Sequence, residues 1–238
     1  MKKNNIFVFI TFLLLSLFIS TGQATPLGVN LIKNPSAEAN GSNSDCNATI
    51  VIDDWETADD TIVIPLDYGT ILNGNNLTPP KADFASETFG NSVFFGGLVS
   101  AEEKNPRMTQ SIDISDRAVE IDKGMLKFEV SGYFGGYLNQ NDSAKLYAFF
   151  YDQNNELQST PKIGSGTALT RGNITTMLKE SISDIVLPGT RTITFMFQWT
   201  LASGEFQNGI ADNLSFVIIP LPGIMTIESQ GSTNVVEG

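Results

Sequence analysis

Between Arg191 and Leu201 the chain reads RTITFMFQWTL, and its side chains alternate with a period of two. On an extended strand Ile193, Phe195, Phe197 and Trp199 share one face, and Thr194, Met196, Gln198 and Thr200 the other. A helix would scatter both sets around its axis. The first set is a core face. The second is polar-lined and can bind something or simply meet water. In the same way Leu126, Phe128, Val130 and Phe134 oppose Lys127, Glu129, Ser131 and Tyr133. In AKLYAFFYDQ both faces are apolar, Leu146, Ala148 and Phe150 against Tyr147, Phe149 and Tyr151. A strand apolar on both sides is as a rule covered on both sides, so packing competes there with a sugar platform.

Further strands are expected at Leu31–Lys33, Ile50–Ile52, Thr61–Ile64, Ser92–Phe95, Met108–Ile114, Met125–Tyr133, Ala144–Tyr151 and Leu214–Ile219. Asn40-Gly41, Asn73-Gly74, Lys123-Gly124 and Pro188-Gly189 mark turns between them. Many strands without strand–helix–strand alternation predict an all-β fold, an antiparallel β-sandwich or jelly roll. The segment Thr175–Ile185 is the best helix candidate, with a bent strand as the alternative. No internal repeat is visible. Residues 25–220 read as one domain, and 221–238, which begin Leu-Pro-Gly and continue in small polar residues, as a C-terminal tail.

The first residues, MKKNNIFVFITFLLLSLFISTGQA, place Lys2 and Lys3 before an apolar run from Ile6 to Ile19, with small residues at Gly22 and Ala24. That pattern predicts a secretory signal peptide over residues 1–24. No later stretch is apolar for long enough to span a bilayer, so no transmembrane anchor is expected. The destination is secreted and extracellular, with the periplasm in transit if the source is Gram-negative. Removing 24 of 238 residues leaves 214, enough for one large β domain.

Of 14 Lys and Arg the leader takes two, leaving 12 cations against 26 Asp and Glu. The balance disfavours nucleic acid and anionic membranes, both of which need a basic patch. It permits calcium, neutral glycans or basic partners, and solubility alone is an equal explanation. Cys46 is the single cysteine, so no intramolecular disulfide can form. There is no histidine, which removes Ser-His-Asp and Cys-His nucleophiles and the usual zinc sites. A carboxylate pair of the glycosidase type is the main enzymatic option left.

Two motifs stand at the ends of this stretch: NLIKNPSAE at 30–38 and GIADNLSFVI at 209–218. Asp212 and Asn213 enter a strand although strands avoid both residue types. Together with WETADD, QSIDIS at 110–115 and LPGTRTITF, the pair resembles the galactose-binding-like jelly rolls, which include secreted carbohydrate-binding modules. The resemblance spans about residues 29–219. FFGG at 94–97 and SGYFGGYLNQNDSA at 131–144 also look like a subgroup of uncharacterised secreted bacterial proteins of this architecture. In that family the first and last strands lie together with a structural calcium between them. The matching acids here are Glu38 and Asp212. A hard cation takes six to eight oxygens, which two carboxylates and loop carbonyls could supply, and it would explain an acid at a buried strand entrance. The competing reading has Asp212 cap a turn while Asn213 accepts a backbone amide.

Sugar recognition needs aromatic rings for stacking and amides or carboxylates that read hydroxyls. Candidates are Tyr133, Tyr137, Tyr147, Tyr151 and Gln198, with Trp55 as a further ring that such folds more often bury. Asn139, Gln140, Asn141 and Asp142 form a polar cluster in a Gly-led loop, a composition that a solvated loop shares. Six Asn-x-Ser/Thr sequons, from Asn40, Asn47, Asn76, Asn141, Asn173 and Asn213, fit chance occurrence in an Asn-rich chain. The resemblance implies a secreted, non-catalytic, lectin-like protein that recognises carbohydrate or a glycoconjugate through a calcium-stabilised domain. The alternative is a bacterial virulence or colonisation factor, an adhesin for a host or surface protein. A His-free glycosidase or lyase would have to rely on carboxylates or on Tyr133, Tyr137, Arg171 and Arg191, which no spacing singles out.

Overall fold

The computed structural model describes residues 24–41, 43–46, 50–57, 63–84, 87, 89–98 and 105–222. The expected signal peptide up to residue 23, nearly all of the expected C-terminal tail and part of the expected Thr61–Ile64 strand fall outside these residues. In chain order the strands are β1 (Glu56–Thr57), β2 (Ile64–Asp67), β3 (Ile71–Leu72), β4 (Asn75–Asn76), β5 (Ser92–Leu98) and β6 (Arg107–Asp113). A short helix, α1 (Ala118–Asp122), precedes β7 (Leu126–Gly136), β8 (Ser143–Asp152), β9 (Leu157–Ser159) and β10 (Lys162–Gly164). The last three are β11 (Thr176–Ile185), β12 (Thr190–Thr200) and β13 (Phe206–Pro220).

Two antiparallel sheets face each other. One runs β1-β6-β12-β8-β10, with β9 also paired to β8; the other runs β11-β7-β13-β5-β2. The architecture is an all-β sandwich. Its inner layer is the alternation read from sequence: Ile193, Phe195, Phe197 and Trp199 are fully buried, against Phe94, Phe128, Phe134, Phe150 and Phe216 from the neighbouring strands. Burying one such side chain contributes about 1.5–3 kcal/mol. The Trp199 indole N–H donates to the Gly209 carbonyl at 3.1 Å, so its polar atom is not orphaned.

A second apolar cluster lies on the outside of the five-stranded sheet. Leu77, Phe84 and Phe89, from the stretch between β2 and β5, pack with Ile64, Leu66, Phe95, Tyr133 and Ile210. Cys46 is buried in the same cluster. That outer face is therefore partly roofed.

Three sequence expectations are corrected. Thr175–Ile185 is not helical: β11 pairs with β7 residue for residue, from Thr176 against Gly136 to Ile185 against Lys127. Leu178, Ile182 and Ile185 carry a helix-like spacing, but from Leu178 onward β11 is an edge strand exposed on both faces, so no burial imposes a period of two there. Leu31–Lys33 and Ile50–Ile52 form no regular strand, although Ile32 and Ile52 are buried in the core. The opening segment runs beside β13, with Gly28 N bonded to the Ile218 carbonyl and Leu31 N to that of Phe216, both at 2.8 Å. The Asn30 side chain completes the contact, donating to the Leu214 carbonyl and accepting from Phe216 N.

Candidate functional site

The outer face of the six-stranded sheet carries a row of aromatic rings. Tyr147, Phe149 and Tyr151 project from β8 on the side away from the core, and all three are part-exposed. Their rings lie nearly parallel, at 16° and 23°, with centroids 6.0 and 6.5 Å apart. Beside them, in register on β12, are Met196, Thr194 and Thr192. Beyond those on β6 are Thr109, Ser111 and Asp113. Ser111 and Thr194 share a hydroxyl hydrogen bond of 2.8 Å. The result is an aromatic ridge next to a floor with four short hydroxyl side chains, Met196 beside Tyr147 and Asp113 at the other end. Gln198 extends that floor, in register with Lys145 on β8 and Arg107 on β6.

Two shallow hollows border this face. One, of about 360 Å³, lies between Glu56 and the pair Thr109 and Ser111. The other, of about 410 Å³, lies near the Tyr151 end, among Asp113, Asp152, Arg191 and Thr192. Of the residues expected from sequence to touch a ligand, Tyr147, Tyr151 and Gln198 are thus brought onto one surface. Phe149, whose alternation was visible in AKLYAFFYDQ, completes the ridge and was missing from that set.

The remaining candidates are placed elsewhere. Tyr133 is 8 % exposed, in edge contact with Phe84 and Phe89 at 6.1 and 4.8 Å. Burial and its bond to Glu87 push its phenol up to about 12. Tyr137 is half-buried against the same cluster. Asp142 is 1 % exposed and accepts from the amides of Ala202 at 2.7 Å and Asn208 at 3.1 Å, so it braces loops rather than meeting solvent. Asn141 Oδ1 accepts from Ala168 N at 2.8 Å, tying its loop to the one after β10. Trp55 is buried, its ring 6.3 Å from those of Phe94 and Phe197. Arg171 is buried and donates to the carbonyls of Gly166, Leu138 and Gln140. Arg191 forks onto Asp122 at 3.0 and 2.7 Å. Arg171 is thus tied to the loop that follows Tyr137, and Arg191 to Asp122 at the end of α1.

Asp212 and Asn213 sit in a β-bulge. Asp212 pairs with Tyr133 and Ser215 with Ser131, so Asn213 and Leu214 together oppose Gly132 on β7. Asn213 has φ 48°, a left-handed conformation that Asn tolerates. A Cβ on Gly132 would crowd the Phe134 ring and Leu214, which suits glycine to that place. The Asp212 carboxylate, in register with Tyr133 under the roof of the five-stranded sheet, is fully buried. Its Oδ2 accepts from the Tyr68 hydroxyl at 2.6 Å and its Oδ1 from Asn213 N at 2.6 Å. Burial pushes its pKa up to about 7, opposed by its hydrogen bonds, and the charge of Glu38 adds to the rise.

Glu38 is held at the same corner by the amides of Asn91 and Ser92, at 2.8 and 2.7 Å. Gly90 leaves room for it, since a Cβ there would collide with the Glu38 carboxylate. The structure thus brings Glu38 and Asp212 into electrostatic contact. Neither takes part in the ion pairs of the described residues, which join Arg117 to Glu120, Lys127 to Glu129 and Arg191 to Asp122. The donor set fits a hard cation in type: carboxylate oxygens with Tyr68, Ser36 and Asn213 oxygens nearby. Among the described residues no group of three or more His, Cys, Asp or Glu converges to hold a metal. Any ion here would draw the rest of its shell from hydroxyl, amide, carbonyl or water oxygens.

No family model matches the chain, and no curated relative matches it. Among solved structures it is similar to the enzymatically active domain of bacteriophage CBA120 tailspike protein 4, with TM-score 0.42 and 17% identity over 81% of this chain. The chain spans 21% of the tailspike chain's length. TmCBM61 in complex with β-1,4-galactotriose gives TM-score 0.41 and 12% identity over 81% of this chain and 99% of that one. The CBM22-1 xylan-binding domain of Paenibacillus barcinonensis Xyn10C gives 0.36 and 10% over 73% and 90%. The sandwich architecture stands on the chain's own two sheets.

Proposed function

We propose that this is a secreted, non-catalytic binding protein that holds a glycan on the outer face of its six-stranded sheet. The observation that carries the reading is the ridge of Tyr147, Phe149 and Tyr151 beside a hydroxyl floor. Parallel rings at this spacing offer successive apolar surfaces to the C–H faces of sugar units, and Thr192, Thr194, Ser111 and Gln198 offer donors and acceptors to their hydroxyls. Binding rather than turnover is supported by the histidine-free sequence and by the commitment of Arg171 to loop carbonyls and of Arg191 to Asp122. The leader supports secretion, and among the described residues no helix is long and apolar enough to cross a membrane.

The second element of the proposal is a structural calcium ion on Glu38 and Asp212. It would neutralise two like charges and fasten the opening segment to β13, leaving the ridge to bind sugar directly.

The test is a broad glycan array with wild type and a Tyr147→Ala/Tyr151→Ala variant, in calcium and in chelator. Binding to one sugar class that the double variant loses, at an unchanged melting temperature, supports the ridge. Undiminished binding by the variant moves the site to another surface, and a blank array under both conditions removes the carbohydrate reading.

A further inference from the structure

Resting on that reading, we infer that the glycan is acidic at one end, an oligosaccharide whose uronic acid residue sits at the Tyr147 end of the ridge. The chain carries 26 acids against 14 Lys and Arg, yet three of the cations gather here. Arg107, Gln198 and Lys145 are direct neighbours across β6, β12 and β8. Lys162 on β10 is in register with Tyr147, its ammonium 5.8 Å from the ring centroid. The two register rows concerned run Arg107, Gln198, Lys145, Gly164 and Thr109, Met196, Tyr147, Lys162. The first contains no carboxylate, and the second has one, Glu56, at its far end beside Thr109.

Lys145 and Lys162 share a hollow of about 230 Å³ with Glu180 at the sheet edge, but they enter none of the ion pairs of the described residues. They remain available to a ligand's charge.

The other end of the ridge has the opposite sign. Asp113 and Asp152 lie there, each held below the usual carboxylate range. The first is held by hydrogen bonds from Ser115, the second by backbone amides of its own turn, led by that of Glu156. Arg191 at this end is committed to Asp122. The field along the ridge therefore has a direction.

A neutral glycan gains nothing from that direction, and a uniformly charged polyanion is repelled where Asp113 and Asp152 stand. One acidic sugar at the Tyr147 end, with neutral sugars over Phe149 and Tyr151, satisfies both ends. A uronate suits the place because its carboxylate is attached to the ring carbon skeleton itself. It stays within reach of the flanking cations while the ring stacks. The Gln198 amide adds an N–H donor that the carboxylate accepts.

The experiment is calorimetric titration of the purified protein with oligosaccharides ending in glucuronate or galacturonate, each beside its carboxyl-reduced counterpart and a sulfated analogue. The expected result is that the acidic form binds at least about tenfold more tightly than the reduced one, the scale of a hydrogen bond to a charged group. The ratio falls toward one in Lys145→Met/Lys162→Met and at high salt. Tyr151→Ala weakens acidic and reduced forms alike. Equal affinity for the two forms, with both lost in Tyr151→Ala, overturns the acidic ligand and leaves the ridge standing. Tighter binding of the sulfated analogue overturns the uronate. Binding of neither form overturns the ridge as well.

Discussion

Tyr68 donates its hydroxyl hydrogen to Asp212 across 2.6 Å, and this contact joins the roof of the five-stranded sheet to the bulge in β13. The bond stabilises the ionised carboxylate, while burial and the Glu38 charge oppose ionisation more strongly, so the pKa rises from 3.8 to about 7. Stability follows from that direction. Below pH 3.8 the carboxyl is protonated in both folded and unfolded states. Between 3.8 and about 7 only the folded state holds the proton, so stability falls as pH rises through this window. Asp113, Asp122 and Asp152 are shifted the other way, and their contributions are lost only as pH drops below the same window.

In chelator, the melting temperature is therefore expected to decrease from pH 5 to pH 8, and Asp212→Asn to remove most of that decrease. Calcium at about 100 times its dissociation constant should raise the midpoint at pH 8 by about 5–10 °C. At pH 5 the rise should be smaller, because the proton competes for Asp212. Calorimetric scans at the two pH values, with and without calcium, check this. Calcium-independent midpoints would remove the ion from the proposal.

Tyr68→Phe isolates the hydrogen bond. The ring keeps its edge contacts with Phe84 and Phe89, at 6.2 and 5.7 Å, so little packing is lost. What disappears is a donor to a buried carboxylate, costing about 1–3 kcal/mol. The loss should be larger at pH 8 than at pH 5, since a protonated Asp212 leaves no charge unsatisfied. Urea unfolding at both pH values reads the difference directly, and an equal loss at both would mean that Asp212 is not the partner that matters.

Much of this was visible in the sequence, and the omissions share a cause. Ile193 to Trp199 announced a core face because period-two alternation is a local property. Asp212 and Asn213 announced an irregularity for the same reason, although they sit inside β13 and not at its entrance. The bulge itself was hidden, since it is a mismatch in count between β13 and β7, two strands about eighty residues apart in sequence. Tyr133 and Tyr147 both lie on the side of their strand away from the core, yet one is roofed by Phe84 and Phe89 and the other is open. Only the tertiary path of the β2–β5 connection decides between them. Asp142 reads from sequence as a ligand-binding candidate in a polar loop because the amides it braces belong to Ala202, Ser203 and Asn208, sixty or more positions away.

Asp142 is accordingly expected to matter for stability and not for binding. Its carboxylate collects three backbone amides, and its charge offsets that of the buried Arg171. Asp142→Ala strands those donors and leaves Arg171 without a counter-charge, a loss of about 3–5 kcal/mol. Asp142→Asn keeps an acceptor oxygen and should cost less. Denaturant midpoints rank the two variants, and a Asp142→Ala protein as stable as wild type would show the loop braced by something else.

The aromatic residues divide into two classes with opposite phenotypes. Tyr147, Phe149 and Tyr151 are part-exposed on a supported strand, so replacing Phe149 or Tyr151 by alanine should leave the fold nearly as stable as before. Base stability is set beneath them by Leu146, Ala148 and Phe150, which face the core. Each lost ring should weaken glycan affinity by about tenfold, as for an aromatic contact worth about 0.5–1.5 kcal/mol beyond its buried area. Tyr133→Ala should do the reverse. It opens a cavity beneath Phe84 and Phe89, removes the ring under Lys179 at 5.7 Å, and destabilises by about 3–5 kcal/mol. Glycan affinity of the folded Tyr133→Ala protein, measured well below its melting temperature, should match wild type. Titration and thermal scans on the same three variants separate the classes; a Tyr151→Ala protein that binds normally, or a Tyr133→Ala protein that folds normally but no longer binds, would place the sugar on the opposite sheet.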